Sequence, residues 1–259
     1  MDIIFVLLFI TGLCFGSFYS VVATRLPNNE SIIFPGSHCT NCYHKLSWYE
    51  LIPVFSFILL RGKCKKCHKK ISIEYPLYEL ITGLLFAFSY YIFGLSIMTP
   101  ISIVVVSMVI LTFISDSKYM VILDEVLIPS LILIIILYFI GYGVNFTLWH
   151  ILYGIITTII LLLVKLWGDR AFKTESLGWG DIKLTFFAGL LLGVKLGVVY
   201  LFLGAFIALP YGIYTSIKKK DNLLPFGPFL VISLLILFWN IDLVNNILNF
   251  ILHLNWHVI

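Results

Sequence analysis

Two acidic residues, Asp116 and Asp181, have the clearest potential for chemistry in this sequence. Asp181 closes a Gly-Trp-Gly-Asp tetrad that begins at Gly178 and runs into an apolar segment, and Asp116 ends another apolar run. Ionisable groups at membrane depth are costly, which makes them functional candidates. When two carboxylates lie close together, one keeps a proton and polarises a carbonyl while the other takes a proton from water. This is aspartyl-protease chemistry, and it needs no metal.

Structural explanations of the same acids stay open at this point. An acid in the first turn of a helix satisfies free backbone N–H groups and the helix dipole, which would suffice for Asp124 and Asp181. Asp116 could simply end a helix and pair with Lys118. Glu79, about a turn inside another apolar run, favours a role as a pairing or capping partner. On the residues alone, the catalytic and the structural explanations are evenly balanced.

Four of the five cysteines form two Cys-x-x-Cys pairs. They are Cys39, Cys42, Cys64 and Cys67. Such pairs predict a tetrahedral zinc site with four thiolate ligands and no open position, so the metal would be structural. His38, His44 and His68 lie nearby, but four thiolates already saturate the ion. Two disulfides are the alternative, and a location in the reducing cytosol argues against them.

The elements that carry these residues are membrane helices. The chain has 259 residues, of which 61% are hydrophobic and 12% charged, and its mean hydropathy is +1.05. A soluble domain is about half apolar and a quarter charged. We therefore predict an all-α polytopic membrane protein with about eight transmembrane helices. The predicted spans are residues 3–23, 75–93, 100–115, 126–142, 146–166, 182–193, 196–217 and 226–241.

This pattern divides the chain into three parts. Residues 1–23 are the first transmembrane helix, and residues 24–74 are a cysteine-containing loop whose core is too small to fold without a metal. Residues 75–259 are the membrane domain that carries both acids. Short turns at residues 143–145 and 193–195 separate consecutive spans.

The distribution of basic residues predicts the orientation. With the N-terminus outside, eight alternating spans place every Lys and Arg except Lys195 on the cytosolic side, as the positive-inside rule requires. The cysteine loop and both acids then also lie on the cytosolic side. The net charge of +4 reflects this topology and the contact with a lipid bilayer, and it does not indicate nucleic-acid binding.

Taken in order along the chain, the motifs resemble the type IV prepilin peptidases, which are membrane aspartyl proteases of the GxGD type. The resemblance covers nearly the whole chain and includes both cysteine pairs. The remaining matching motifs lie around Asp116 and at residues 16–18, 25–27, 48–53, 60–63, 75–80, 178–184 and 225–229.

The resemblance implies that Asp116 and Asp181 are the catalytic pair. It implies prepilin or pseudopilin substrates, cut after a glycine that follows a short basic leader, at the cytosolic face of the bacterial inner membrane. Family members with the cysteine loop often also N-methylate the new amino terminus with S-adenosylmethionine. The residues offer no separate support for methylation, because residues 24–74 are too few for a Rossmann domain and contain no GxGxxG motif.

Two other functions are compatible with the sequence. One is a proton-coupled transporter that uses membrane acids as relays, and the other is a zinc-loop adaptor without catalysis. The transporter would favour acids at mid-bilayer and inverted repeats, whereas these acids lie at one boundary and no repeat is evident.

Three positions depart from the family pattern. Asn is common in the family where this chain has Ser20 and Leu51, and Pro often stands where this chain has Leu123, directly before Asp124.

Overall fold

The computed structural model describes residues 2–173, 177–219 and 225–252 and is built of α-helices. In chain order they are α1 (Ile3–Arg25), α2 (Phe55–Leu59), α3 (Glu74–Phe93), α4 (Met98–Tyr119), α5 (Asp124–Phe172), α6 (Trp179–Lys219), α7 (Gly227–Trp239) and α8 (Ile241–Leu252). Long apolar runs form helices because a helix satisfies every backbone hydrogen bond within one segment. The all-helical class predicted from the sequence is confirmed.

Among the described residues, five helices are long and apolar enough to cross a membrane: α1, α3, α4, α5 and α6. A sixth is counted if α7 is joined to residues 241–250, although the two are bent by 86°. Helices α5 and α6 have 49 and 41 residues. If straight, they would be about twice the roughly 30 Å thickness of a bilayer core.

Both long helices contain a backbone break at a glycine. Gly143 has φ 83° and ψ 178°, and Gly193 has φ 75° and ψ 173°. Glycine adopts this conformation without a Cβ penalty. The breaks fall at the first residue of each of the turns predicted at 143–145 and 193–195.

The chain forms two compact units, the first of which ends at Tyr119. Within it, α1 packs against α3 and α4. The Tyr19 hydroxyl of α1 donates to Ser107 Oγ of α4 at 2.6 Å. A β-carbon at Gly16 would lie 2.7 Å from the Cα atom of Glu79, so glycine permits a close contact between the backbones of α1 and α3. This contact holds Glu79 against α1.

The second unit starts at Met120, and α6 lies at its centre. The His150 ring of α5 forms a 2.6 Å hydrogen bond with the carbonyl oxygen of Leu190 in α6. On the other side, Ser233 Oγ of α7 donates to the carbonyl oxygen of Tyr200 at 3.0 Å. These polar contacts fix α5 and α7 against the helix that carries Asp181.

Candidate functional site

Asp116 lies in the last turn of α4, on a buried face of the helix. Its exposed fraction is 6%, and the preceding residues Ile114 and Ser115 are fully buried. Lys118, the lysine that the sequence offered as a partner, forms an ion pair with Glu74 of α3. A buried carboxylate at the end of an apolar helix is expensive to keep, which favours a functional role.

Asp181 lies in the first turn of α6 and is 9% exposed. The two glycines before it have no positive φ, so a left-handed backbone does not explain either of them. A β-carbon on Gly180 would lie 3.0 Å from Ile122 Cβ, and one on Gly178 would lie 3.4 Å from Asp181 Oδ2. Glycine at position 180 therefore lets the backbone approach Ile122 closely, whereas a β-carbon at Gly178 would make only an ordinary van der Waals contact.

A buried lysine that the sequence analysis did not single out holds the tetrad in place. Lys165, near the end of α5, has a side chain that is 6% exposed. Its Nζ donates to the carbonyl oxygen of Leu177 at 2.6 Å and lies 5.6 Å from the centroid of the Trp179 ring. Asp169 Oδ2 balances its charge at 3.3 Å. Lys165 thus contacts the residues on both sides of Gly178.

The acid at the start of α5 has a partner in the same unit. Both carboxylate oxygens of Asp124 accept hydrogen bonds from Lys183 Nζ, at 2.7 and 2.6 Å. Both side chains are about half exposed, so the ion pair contributes little stability. It links the beginning of α5 to the first turns of α6, close to Asp181 in sequence.

The four cysteines converge in one cluster, as predicted. Their Sγ atoms all lie within 4.8 Å of one another. The Cys39 and Cys67 sulfurs are 3.8 Å apart, and the Cys42 and Cys64 sulfurs are 3.9 Å apart. Four thiolates bound at about 2.3 Å to one tetrahedral ion would be about 3.8 Å apart. The sulfurs therefore fit a single metal ion, and the nearby histidines are not part of this group.

The two cysteine pairs have the same local backbone structure. In each, the N–H of the first cysteine donates at 2.9 Å to the carbonyl five residues later, from Cys39 to His44 and from Cys64 to Lys69. The residue after the second cysteine has a positive φ in both: Tyr43 (55°) and His68 (57°). This local repeat points the two sulfurs of each pair towards the same place.

Hydrogen bonds, desolvation and the neighbouring thiols shift the pKa values of the cysteines in different directions. The backbone N–H of Asn41 lowers the pKa of Cys39, and the backbone N–H of Lys69 lowers the pKa of Cys67 to about 6. The His44 backbone N–H also acts to lower the pKa of Cys42, but desolvation and the neighbouring thiols raise it to about 11. A metal cation bound by the four cysteines would remove this conflict, because it would stabilise all four thiolates together.

Two buried glutamates accept hydrogen bonds from residues of the cysteine loop. Glu50 accepts hydrogen bonds from the Ser47 backbone N–H at 2.8 Å and from the His44 ring at 3.3 Å. The first of these contacts is the main reason that the pKa of Glu50 is lowered. Glu79 accepts the Val54 backbone N–H at 2.7 Å, which agrees with its predicted capping role. The sequence analysis did not identify Glu50, although its spacing from Ser47 is that of a capping box.

The fold defines a class of protein, a helical membrane protein with a cysteine-rich loop and buried acids near helix ends. Two family models match the chain: the bacterial peptidase A24 N-terminal domain over residues 10–93 and the type IV leader peptidase family over residues 103–213. The chain belongs to the type IV leader peptidase family. It is therefore a peptidase, as the sequence analysis expected.

Curated relatives support this membership along most of the chain. A prepilin leader peptidase/N-methyltransferase of Bacillus subtilis is 36% identical over 86% of this chain and 88% of its own length. A relative of the same name in Vibrio cholerae is 33% identical over 94% of this chain and all of its own length. The Neisseria gonorrhoeae relative of the same name is 32% identical over 88% of both chains. No solved structure gives a significant match.

Proposed function

We propose that this chain removes the basic leader peptide from type IV prepilins or pseudopilins, with Asp116 and Asp181 as the catalytic pair. The observation that carries the proposal is the burial of both carboxylates at helix ends, 6% and 9% exposed, in a leader peptidase. The relatives are named for the same substrate class. These relatives are peptidases, so the transporter alternative is not taken further.

In this proposal the pair holds one proton between its two carboxyl groups. The ionised carboxylate takes a proton from water as the oxygen attacks the scissile carbonyl, and the protonated one donates a hydrogen bond to the carbonyl oxygen. Collapse of the tetrahedral intermediate breaks the C–N bond, and a proton passes to the leaving amine. The shared proton is a property of the pair as a whole and is not assigned to either carboxyl group alone.

We also propose eight spans, with Gly143 and Gly193 as turns that divide α5 and α6 into two spans each. The N-terminus then lies outside the bacterial inner membrane, and nearly all basic residues lie inside. In this topology, the C-terminal end of α4 and the start of α6 both reach the cytosolic side. Asp116 and Asp181 would meet a leader at the point where the substrate leaves the membrane. We place the peptidase domain in residues 75–259.

We further propose zinc as the metal of the cysteine cluster, because four thiolates at tetrahedral spacing leave no position for substrate or water. When bound, zinc would be held by Cys39, Cys42, Cys64 and Cys67 and would stabilise the loop of residues 24–74. It would take no part in peptide cleavage.

A cleavage assay tests the peptidase proposal directly. A prepilin-like substrate is reconstituted with the full-length protein in liposomes, and its leader-free product is identified by mass spectrometry. Cleavage at a site other than the glycine before the hydrophobic helix would contradict the proposed substrate class.

Lys165 offers a separate prediction about positioning. Lys165→Met should lower kcat for leader cleavage by about 10- to 100-fold and leave KM within about twofold, because the tetrad would lose the contact at Leu177 that orients Asp181. Lys165→Arg should recover part of the loss, since it keeps the charge and the donors. Lys173→Met, at an exposed lysine that ends the same helix, is the matched control. Wild-type kcat in Lys165→Met would remove this role.

Methylation is proposed from the relatives' name and the resemblance. With S-adenosylmethionine present, the mature product should carry the extra mass of one methyl group at its new N-terminus. With S-adenosylhomocysteine instead, the same product should appear at the unmodified mass. Intact-mass spectrometry of the product distinguishes the two, and an unmethylated product in the presence of S-adenosylmethionine would contradict the second activity.

A further inference from the structure

The segment between the two cysteine pairs carries an exposed apolar face. Residues 51–60 contain no charged side chain. Within them, α2 exposes Phe55 (63%), Ile58 (64%) and Leu59 (79%). Residues spaced by three and four positions lie on the same side of a helix. We call these three side chains the α2 face.

The opposite side of α2 is packed within the loop. A β-carbon at Gly62 would lie 3.0 Å from Phe57 Cζ, so the Phe57 ring lies over the turn that leads into the second cysteine pair. The orientation of α2 is therefore set, with Phe57 inward and the α2 face outward. A solvated loop would not normally present three large apolar side chains side by side.

Two contacts place the start of α2 beside two candidate membrane-spanning helices. The Val54 backbone N–H, immediately before α2, donates to Glu79 Oε2, and Glu79 lies about 7 Å into the apolar helix α3. Pro53 lines a cavity of about 360 Å³ together with Phe18 and Cys14 of α1. The residues just before α2 thus lie beside α1 and α3, two helices long and apolar enough to cross a membrane.

Basic residues follow the apolar face. Arg61 and Lys63, directly after α2, are exposed, and so is Lys66. An apolar face with cations at one end is the pattern of an interfacial helix, where the apolar side chains enter the acyl region and the cations meet lipid phosphates. Phe18 of α1, which lines the same cavity as Pro53, is also exposed (49%).

We propose that α2 is an interfacial membrane anchor, in which Phe55, Ile58 and Leu59 insert into the same bilayer that the neighbouring helices cross. The partner is phospholipid, and Arg61 and Lys63 contact its phosphate groups. The anchor holds both cysteine pairs at the membrane surface. The proposal does not depend on the peptidase assignment.

Photo-cross-linking in lipid nanodiscs tests this proposal on the full chain. A benzophenone amino acid replaces Leu59 in one variant and Tyr43 in the other, which is a matched control because Tyr43 is 77% exposed in the same loop. The nanodiscs contain phosphatidylethanolamine and phosphatidylglycerol. We expect phospholipid adducts at position 59 at about tenfold the yield at position 43. Equal yields would overturn the proposal, as would a cross-link from position 59 to another segment, a second copy or an added prepilin.

A second measurement uses the unmodified protein and does not depend on how the variants fold. Hydroxyl radicals generated in water oxidise exposed aromatic rings, and Phe55 and Tyr43 are both highly exposed in the structure. In nanodiscs, insertion predicts at least about fivefold less oxidation of Phe55 than of Tyr43 after correction for intrinsic reactivity. Comparable oxidation of the two rings would show that α2 faces water.

Discussion

Replacing either catalytic candidate with Asn, as Asp116→Asn or Asp181→Asn, should lower the rate of leader cleavage by about a thousandfold or more. Asn has nearly the shape of Asp but can neither take a proton from water nor supply one. Because both carboxylates are buried, the neutral amide should also cost little stability. The loss should therefore appear in kcat, with substrate binding and expression in the membrane close to normal.

A double variant that combines Asp116→Asn with Asp181→Asn tests whether the two acids act together. Since the two acids act on one water and one carbonyl, removing the second should add little to the loss caused by the first. Independent effects that multiply would indicate separate roles. Asp242→Asn is the matched control for an acid in the first turn of a helix, and it should cleave at the wild-type rate. If Asp181→Asn behaved like this control, the capping explanation of Asp181 would be correct.

Loss of the metal should have the second largest effect, and it should be confined to the cysteine loop. We expect about one zinc ion per chain, removable by a strong chelator. Structural zinc binding by such sites contributes about 10–16 kcal/mol at neutral pH, and the loop has little other core. In Cys64→Ser, which changes a ligand that is 4% exposed, metal content should fall below about half and residues 24–74 should become protease-sensitive.

The control for this experiment is Cys14→Ser. Cys14 lies in α1 and is exposed, so its variant should keep both the metal and the resistance to protease. Metal analysis and limited proteolysis of the purified membrane protein provide the two readouts. Unchanged metal content in Cys64→Ser would contradict the four-thiolate site. An intact mass lower by four hydrogens in the wild type would support the two-disulfide alternative.

Several helices were predictable almost to the residue. The expected spans 3–23 and 75–93 correspond to α1 (Ile3–Arg25) and α3 (Glu74–Phe93), because a long apolar run has no alternative to a helix in lipid. The cysteine cluster was predictable for a similar reason. The spacing within each pair is local, and the same backbone turn forms twice.

The supporting side chains were not predictable in the same way. Lys165 is one lysine in an apolar run, and its position in a membrane helix was a usable signal. Nothing in the sequence connects it to Leu177, however, because the two residues are 12 positions apart and lie on either side of the end of α5. The contact between Glu79 and Val54 is likewise made across the cysteine loop, between residues 25 positions apart.

By itself, the sequence determined the helical membrane class, the cluster of four cysteines and the identity of the two candidate acids. These properties depend on hydropathy, local spacing and side-chain chemistry, all of which are present in the linear chain. Only the tertiary structure decided that Lys165 contacts both sides of the tetrad, that Gly180 provides space for Ile122, and that α2 turns its apolar face outward. Those features arise from packing between residues that are not neighbours in the chain, where a few ångströms of approach determine which side chains meet.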